Sequence, residues 1–311
     1  MNIQNPRQLL IGFGAQGKAW AKNLQDSSHA PDVYLRPQSL EKKRVTELGF
    51  NLIDQNGLEN KTYDIILVLI PDQEIFSFLK QHEDYFQTYI NPPLFIFAHG
   101  YAFTHHQLNQ LFPKWHFGLL APKAIASELR FQYEVKGSLG AVYDFTHPED
   151  EKIINWLAQK IGISGLFKSS FEAETKADLF SERSLLCSLI PYASHYSFQK
   201  LREKGISKEL AFMECYLEVR SISKAFVELG PLAFFNLISP NALKGSQIGH
   251  QLFFNSDTFQ KFELLYRELE LELQDNTIEQ HSIDKIKQEA LEFWEKSELE
   301  TTYQELKDKL I

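Results

Sequence analysis

Two rhythms of apolar residues run along this chain. Up to about residue 170, short apolar runs at 8–11, 32–35, 51–54, 63–71, 94–98, 117–121 and 140–144 alternate with stretches of helical spacing, so each run reads as a strand. Strands separated by helices in this way form a doubly wound parallel sheet. From residue 171 onward the spacing is helical nearly throughout, broken at Gly230-Pro231 and at Ser239-Pro240-Asn241. The expected organisation is therefore α/β over residues 1–170 and all-α over residues 171–311. The tail, rich in Glu, Lys and Leu, reads as a solvated amphipathic helix.

The first strand runs directly into Gly12-Phe13-Gly14-Ala15-Gln16-Gly17 and then into a helix. Strand, GxGxxG and helix in that order form the fingerprint of a Rossmann-type dinucleotide site. Gly12 permits the tight turn, Gly14 lets backbone N–H groups approach a pyrophosphate, and Gly17 lets helix and strand pack closely. The second strand ends at Arg36, where an NAD site usually places an acid against the ribose 2′-hydroxyl. Arg36 and Lys42 can pair with a 2′-phosphate and Ser39 can donate a hydrogen bond to it, so the expected cofactor is NADPH. Two further strand ends carry polar residues at the edge where such sheets bind ligands: His99 in FAHG and Lys123 in APK.

The helical part opens with EAETKADLFSERSLLC, in which Asp178 and Glu182 stand four apart among apolar residues. On a helix such a pair points one way. Glu214 and Glu218 repeat the arrangement within AFMECYLEV. One acidic pair alone reads as a solvated helix face; two pairs embedded in apolar sequence favour metal. Four carboxylates can serve as hard oxygen ligands of two Mg²⁺ ions, whose charge they balance.

Composition narrows the function classes. The 311 residues are 43% hydrophobic and 23% charged, ordinary for a globular enzyme. A formal net charge of −9, with no basic cluster beyond Lys42-Lys43-Arg44, argues against nucleic acid or an anionic membrane as partner. Cys187 and Cys215 each lie inside an apolar helix and read as buried thiols in a reducing compartment. The N-terminus has no cationic start followed by an apolar signal core, and no apolar run is long enough to cross a bilayer. The expected location is cytoplasmic.

From about residue 8 to residue 300, these motifs together resemble the ketol-acid reductoisomerase family in its short form, with a single helical domain. GFGAQGKAWAKNL is similar to the family's nucleotide loop, LRPQS to its phosphate-recognition loop, and LIPD and FAHG to its sheet-edge motifs. ADLFSERSLLC is similar to its first metal helix, and MECYLEV with the serine of ISPN to its second metal helix and substrate serine. The resemblance implies an NADPH- and Mg²⁺-dependent enzyme of branched-chain amino-acid synthesis. Such an enzyme converts 2-acetolactate or 2-aceto-2-hydroxybutanoate to the 2,3-dihydroxy-3-methyl acid by alkyl migration and hydride reduction. It further implies Asp178, Glu182, Glu214 and Glu218 as metal ligands, His99, Lys123 and Glu182 as catalytic groups, and Ser239 as a substrate contact. A knotted helical domain, interleaved with that of a second subunit in a homodimer with shared active sites, is implied as well. The sequence departs from the family at Ala124-Ile125-Ala126, where a Gly-Pro-Gly turn is usual, at Arg183 within DLFSER, and at Pro240 after Ser239. Because these departures touch the substrate side, two alternatives stay open: a diverged NADP-dependent reductase of a related 2-keto or 2-hydroxy acid without isomerase activity, and a non-catalytic nucleotide-binding dimer.

Overall fold

The structure, a computed structural model, describes residues 5–274 and 280–311. Eight strands form one sheet: β1 Gln8–Ile11, β2 Asp32–Tyr34, β3 Leu52–Ile53, β4 Ile65–Val68, β5 Leu94–Phe97, β6 His116–Pro122, β7 Gly140–Phe145 and β8 Gly165–Lys168. Their order is β3-β2-β1-β4-β5-β6-β7-β8. Every residue of β1, β4 and β5 is buried, as befits strands covered on both faces. Alternate residues feed two cores. Leu10, Ile65, Leu67 and Ile96 pack with Trp20 and Leu24 of helix Ala15–Asp26 and with Ile154 and Leu157 of helix Glu151–Lys160. Leu9, Ile11, Ile66, Phe95 and Phe97 pack on the opposite face with Ile75 and Leu79 of helix Asp72–Gln81. Each fully buried aliphatic side chain contributes about 1.5–3 kcal/mol relative to exposure, so this burial fixes where the strands' carboxyl ends lie.

One pairing departs from the expected parallel sheet. β7 runs antiparallel to β6, with Pro122 opposite Ala141 and Gly118 opposite Phe145. The cause lies in the connection between them. Helix Ala126–Val135 docks on helix Ala15–Asp26, Arg130 donating to the Asp26 carboxylate at 2.6 Å and to Asn23 Oδ1 at 2.8 Å. The chain then re-enters the sheet at the edge it left, where the Lys123 N–H donates to the Gly140 carbonyl (2.9 Å). β8, parallel to β7, is a strand that the apolar pattern does not mark, because none of its residues is buried and Phe167 is exposed.

Glycines set the turn after β1. Gly12 has φ +93°, and a Cβ there would lie 2.6 Å from the Leu69 carbonyl oxygen. At Gly17 a Cβ would lie 2.7 Å from the Gly12 carbonyl oxygen. Gly14, with φ −66° at the N-cap of helix Ala15–Asp26, has nothing within 4 Å of its Cβ position.

The chain divides into two compact units, Met1–Ala177 and Asp178–Ile311. The division falls inside helix Phe171–Ser181, whose first residue is where the spacing predicts the all-helical part to begin. Phe198, Ala211, Phe212 and Leu299 form the core of the second unit, with Trp294 and Tyr303 packed around it. Leu299 belongs to helix Glu298–Leu310, so the charged tail is not the single solvated helix that its composition suggests. Within the described residues it forms helices Ser256–Gln274, Gln280–Glu295 and Glu298–Leu310, and buried Leu299 and Thr302 tie it to the core. Residues 275–279 of that tail lie outside the described residues. Helices Glu218–Leu237 and Pro240–Phe253, by contrast, bury none of their residues in the single chain. Among the described residues no single helix is long and apolar enough to cross a membrane; Lys208–Leu237 and Pro240–Phe253, bent by 105°, reach that length and composition only as a pair.

Gly12→Ala should lower the unfolding free energy by roughly 1–3 kcal/mol, through strained backbone and a displaced carbonyl. Gly14→Ala, with open space at its Cβ, should change it by less than about 0.5 kcal/mol. Urea midpoints at unchanged slope read the difference, and equal midpoints would show that the turn yields freely.

Candidate active site

The carboxyl ends of the neighbouring strands β5 and β6 present His99-Gly100 and Lys123. Against them packs the first half of helix Phe171–Ser181. Glu174, whose side chain is 1% exposed, accepts from the Lys123 ammonium (2.6 Å) with one oxygen and from the Gly100 N–H (2.7 Å) with the other. The close approach depends on glycine: a Cβ at position 100 would lie 2.4 Å from the Phe171 carbonyl oxygen and 2.6 Å from Thr175 Oγ1. Phe171 stacks on Phe103 with ring centroids 3.8 Å apart, and the Thr175 hydroxyl meets that of Thr104 (3.2 Å), which fixes the docked helix. A carboxylate this buried must be paired, and Lys123 and Gly100 pair it. Lys123 itself is 42% exposed, so its ammonium is anchored yet within reach of a ligand. His99 Nε2 lies 3.8 Å from Asp72 Oδ2 at the start of helix Asp72–Gln81.

Glu174 is the residue that sequence reasoning passes over. Its signal is spacing, since it stands four before Asp178 as Asp178 stands four before Glu182. Nothing in the local pattern shows that it is buried.

At the β1 turn, Phe13 places its ring in the core against Phe50 (5.6 Å), so only its backbone can face a ligand. Ala15, Gln16 and Gly17 open helix Ala15–Asp26, whose first turn holds no acid. The positive end of the helix dipole therefore meets no carboxylate of its own. Gln16 donates to the Ala124 carbonyl (3.3 Å), tying the turn to residues 124–126, and its Oε1 is buried without a hydrogen-bond partner. Arg36 is exposed at the end of β2 and donates to Glu74 (3.0 Å). Ser39 Oγ accepts from the Glu41 N–H (3.3 Å). Lys42 lines a cavity of about 410 Å³ together with Tyr34, Pro37 and Ile53. Open space at Gly14, an acid-free helix start and a basic strand end fit the phosphates of a dinucleotide.

In the second unit Asp178 is half-buried, while Glu182 is exposed and opens a π-helical turn, Glu182–Leu186, in which the Cys187 N–H donates to the Glu182 carbonyl (3.0 Å). A second π-helical turn, Met213–Leu217, contains Glu214 and leads into Glu218, both exposed. The regular α-helix predicted at each acidic pair is thus widened, a feature that recurs at functional sites. Cys187 is exposed and Cys215 half-buried, contrary to the expected buried thiols, because the apolar faces around them stay uncovered in the single chain. The Cys187 thiol is held above its usual range, by desolvation first and then by the Glu182 and Asp178 carboxylates. Among the described residues, no group of three or more metal-ligating atoms within 4.8 Å of one another includes Glu182, Glu214 or Glu218. The two pairs therefore form no such cluster inside one chain. Arg183 donates to Glu272 of helix Ser256–Gln274 (2.5 Å). Ser239 caps helix Pro240–Phe253, its Oγ accepting from the Ala242 N–H (3.2 Å), which leaves its O–H able to donate elsewhere.

His116, His147 and Asp150 form a group of metal-type ligands at the amino end of β6. The two rings lie nearly parallel (7°) with centroids 3.8 Å apart, so one ion cannot lie in both ring planes. Nδ1 of His116 meets Asp150 (2.8 Å) and Nδ1 of His147 meets Thr146 (2.9 Å). Burial pushes the Asp150 carboxyl up, and His116 opposes it. This is a hydrogen-bonded structural cluster joining β6 to helix Glu151–Lys160.

Residues 2–163 match the family model described as acetohydroxy acid isomeroreductase, NADPH-binding domain, and residues 171–310 match that of the ketol-acid reductoisomerase C-terminal domain. The ketol-acid reductoisomerases (NADP(+)) of Psychrobacter cryohalolentis and Psychrobacter arcticus are each 30% identical over 255 residues, covering 79% of this chain and 73% of theirs. Among solved structures, an NADH-preferring ketol-acid reductoisomerase from an uncultured archean has a TM-score of 0.86 at 21% identity, over 99% of this chain and 95% of that one. A pyrroline carboxylate reductase of Plasmodium falciparum with NADP bound shares the fold more distantly, with a TM-score of 0.55 at 14% identity over 87% and 99% of the two chains. With a nucleotide-domain model and a helical-domain model matched in succession, and relatives at 30% identity, the chain belongs to the ketol-acid reductoisomerase family and is an NADP-dependent oxidoreductase.

Proposed function

We propose that this chain is an NADPH- and Mg²⁺-dependent ketol-acid reductoisomerase of branched-chain amino-acid biosynthesis. Its substrate in this reading is 2-acetolactate or 2-aceto-2-hydroxybutanoate, converted to the 2,3-dihydroxy-3-methyl acid by alkyl migration and hydride reduction. The observation that carries the reading is the buried Glu174 carboxylate holding Lys123 at the ligand edge of a nucleotide-binding sheet. A buried carboxylate paired with a partly exposed ammonium at such an edge is typical of a working site, since apolar packing would serve stability as well. Residues 1–170 form the NADP-binding part in this reading, and residues 171–311 the part that binds metal, substrate and partner.

The turn Gly12 to Gly17 takes the pyrophosphate on backbone N–H groups, and Arg36, Ser39 and Lys42 take the 2′-phosphate. Asp178, Glu182, Glu214 and Glu218 would hold two Mg²⁺ ions, which would supply Lewis-acid polarisation of the substrate oxygens. Lys123, oriented by Glu174, donates to a substrate oxygen; His99 and Glu182 are the groups that hand over protons; Ser239 donates to the substrate. A homodimer with shared sites accounts for two further observations. Among the described residues the acidic pairs form no common cluster in one chain, and Phe226, Leu232, Leu237, Leu252 and Phe253 stand exposed on helices that bury none of their residues. A second copy covering those faces removes a large apolar surface from water. A cytoplasmic setting keeps Cys187 and Cys215 as the free thiols they are.

Ala124-Ile125-Ala126, in place of the family's usual Gly-Pro-Gly turn, favours one second reading: a reductase of a related 2-keto or 2-hydroxy acid that has lost the migration step. NADPH oxidation with Mg²⁺ and 2-acetolactate, compared with 3-hydroxy-3-methyl-2-oxobutanoate, separates them. Turnover of both compounds supports the reductoisomerase, and turnover of the second alone supports the reductase. Turnover of neither overturns both.

Metal binding is testable without activity. Mg²⁺ should stabilise the wild type by mass action, by about 2.7 kcal/mol at a hundred times its dissociation constant. The melting temperature should therefore rise relative to EDTA, while Asp178→Asn, which removes one ligand and one repelling charge, should melt no lower in EDTA and respond less to Mg²⁺. An undiminished response in the variant would remove Asp178 from the ligand set.

Sharing of the site across subunits has its own test. Inactive Asp178→Asn protein and inactive Glu218→Gln protein, mixed so that subunits exchange, should recover partial activity, because one site of each mixed dimer escapes both changes. Verified mixed dimers without activity would rule the shared site out.

A further inference from the structure

An ion pair joins two strand ends across the nucleotide turn. Arg36 stands two residues beyond β2, and Glu74 lies in the first turn of helix Asp72–Gln81, which follows β4. In the sheet, β2 and β4 flank β1, the strand that runs into Gly12. Arg36 Nη1 donates to Glu74 Oε1 at 3.0 Å, with the side chains 69% and 43% exposed. An exposed pair of this kind does little for stability. Its position matters more, because Arg36 is the guanidinium offered to a 2′-phosphate and Glu74 already holds it. The phosphate must share or displace that carboxylate, and two anions then face one cation. An unphosphorylated ribose makes no such demand, since an acid at this edge is the residue type that accepts from a 2′-hydroxyl.

We propose that Glu74 is a specificity-determining residue: it competes with the 2′-phosphate for Arg36, lowers the preference for NADPH, and thereby leaves the chain able to use NADH. The inference rests on Arg36 as the partner of the 2′-phosphate. The charges around the pair fit it. Glu41, 3.9 Å from Lys18 of helix Ala15–Asp26, is a second acid drawing on a cation beside the nucleotide turn.

Titration calorimetry of the full chain with NADPH and with NADH tests this, at low ionic strength where exposed charges are least screened. Glu74→Gln should tighten NADPH about two- to fivefold and leave NADH unchanged or weaker, with the gain shrinking as salt is added. Arg36→Met should weaken NADPH about ten- to a hundredfold and NADH little. Both positions are exposed, and melting temperatures equal to wild type check that the variants fold. An unchanged NADPH constant in Glu74→Gln, or an equal shift for both cofactors, overturns the role of Glu74. The two failures are distinguishable: if Arg36→Met leaves NADPH binding intact, the assignment of Arg36 itself is wrong, and the role of Glu74 falls with it.

Discussion

Glu174 is the constraint on which the ligand edge of the sheet depends. Leaving a buried carboxylate unpaired costs several kcal/mol, so its two oxygens dictate what surrounds them. One oxygen requires a cation, which Lys123 supplies from the end of β6, and the other requires an N–H, which Gly100 supplies from the end of β5. The second demand explains the glycine. Any Cβ at position 100 would push the helix off at Phe171 and Thr175, and the Gly100 N–H would lose its partner. Stacking of Phe103 on Phe171 then holds the arrangement from outside the charge pair. The result is an ammonium with a fixed origin on a partly exposed side chain, which is the pre-organisation that a binding or catalytic lysine needs.

The acidic pairs of the second unit follow the opposite logic. Glu182, Glu214 and Glu218 are solvated in the single chain, where they cost little, and become expensive only when gathered together. A π-helical turn at each pair spreads the backbone by an extra residue and shifts the directions of the carboxylates away from those of a regular α-helix. The uncovered apolar faces of helices Glu218–Leu237 and Pro240–Phe253 belong to the same proposal. Burial of those faces by a second copy is the favourable term that can offset the cost of assembling the carboxylates, and bound cations supply the remainder.

What could be read from the sequence, and what could not, follows from the range of the forces involved. β1, β4 and β5 were legible because both faces are buried, so that every position is apolar. The Gly12–Gly17 turn was legible because its requirements are steric and local: a positive φ at one glycine and no room for a Cβ at two of them. The direction of β7 was not, since it follows from Arg130 docking on Asp26 and Asn23, a contact made over a hundred residues of separation with Asn23. Glu174 escaped notice because an acid bound for burial looks the same in sequence as one on a solvated face. The cysteines misled for a related reason: an apolar helix announces that it will be covered, without saying whether its own chain does the covering.

An acidic chain that binds an anionic dinucleotide must arrange its field locally. At about 0.1 M salt the screening length is roughly 10 Å, so the net charge of −9 matters less than the few groups around the turn. Those groups are mixed. Lys18 and Arg36 each have a carboxylate within 4 Å, Glu41 at 3.9 Å and Glu74 at 3.0 Å, so neither offers a full unit of charge to an incoming phosphate. The start of helix Ala15–Asp26, by contrast, carries no acid, and its dipole and N–H groups act undiminished. In the proposed cofactor site the larger share of the attraction therefore falls on the pyrophosphate, which the phosphorylated and unphosphorylated cofactors have in common, and the smaller share on the 2′ position. The backbone reflects that division: at Gly12 and Gly17 a single added carbon has no room, whereas Arg36 and Ser39 lie outside helix and strand and Lys42 opens helix Lys42–Glu47, all three outside the buried core.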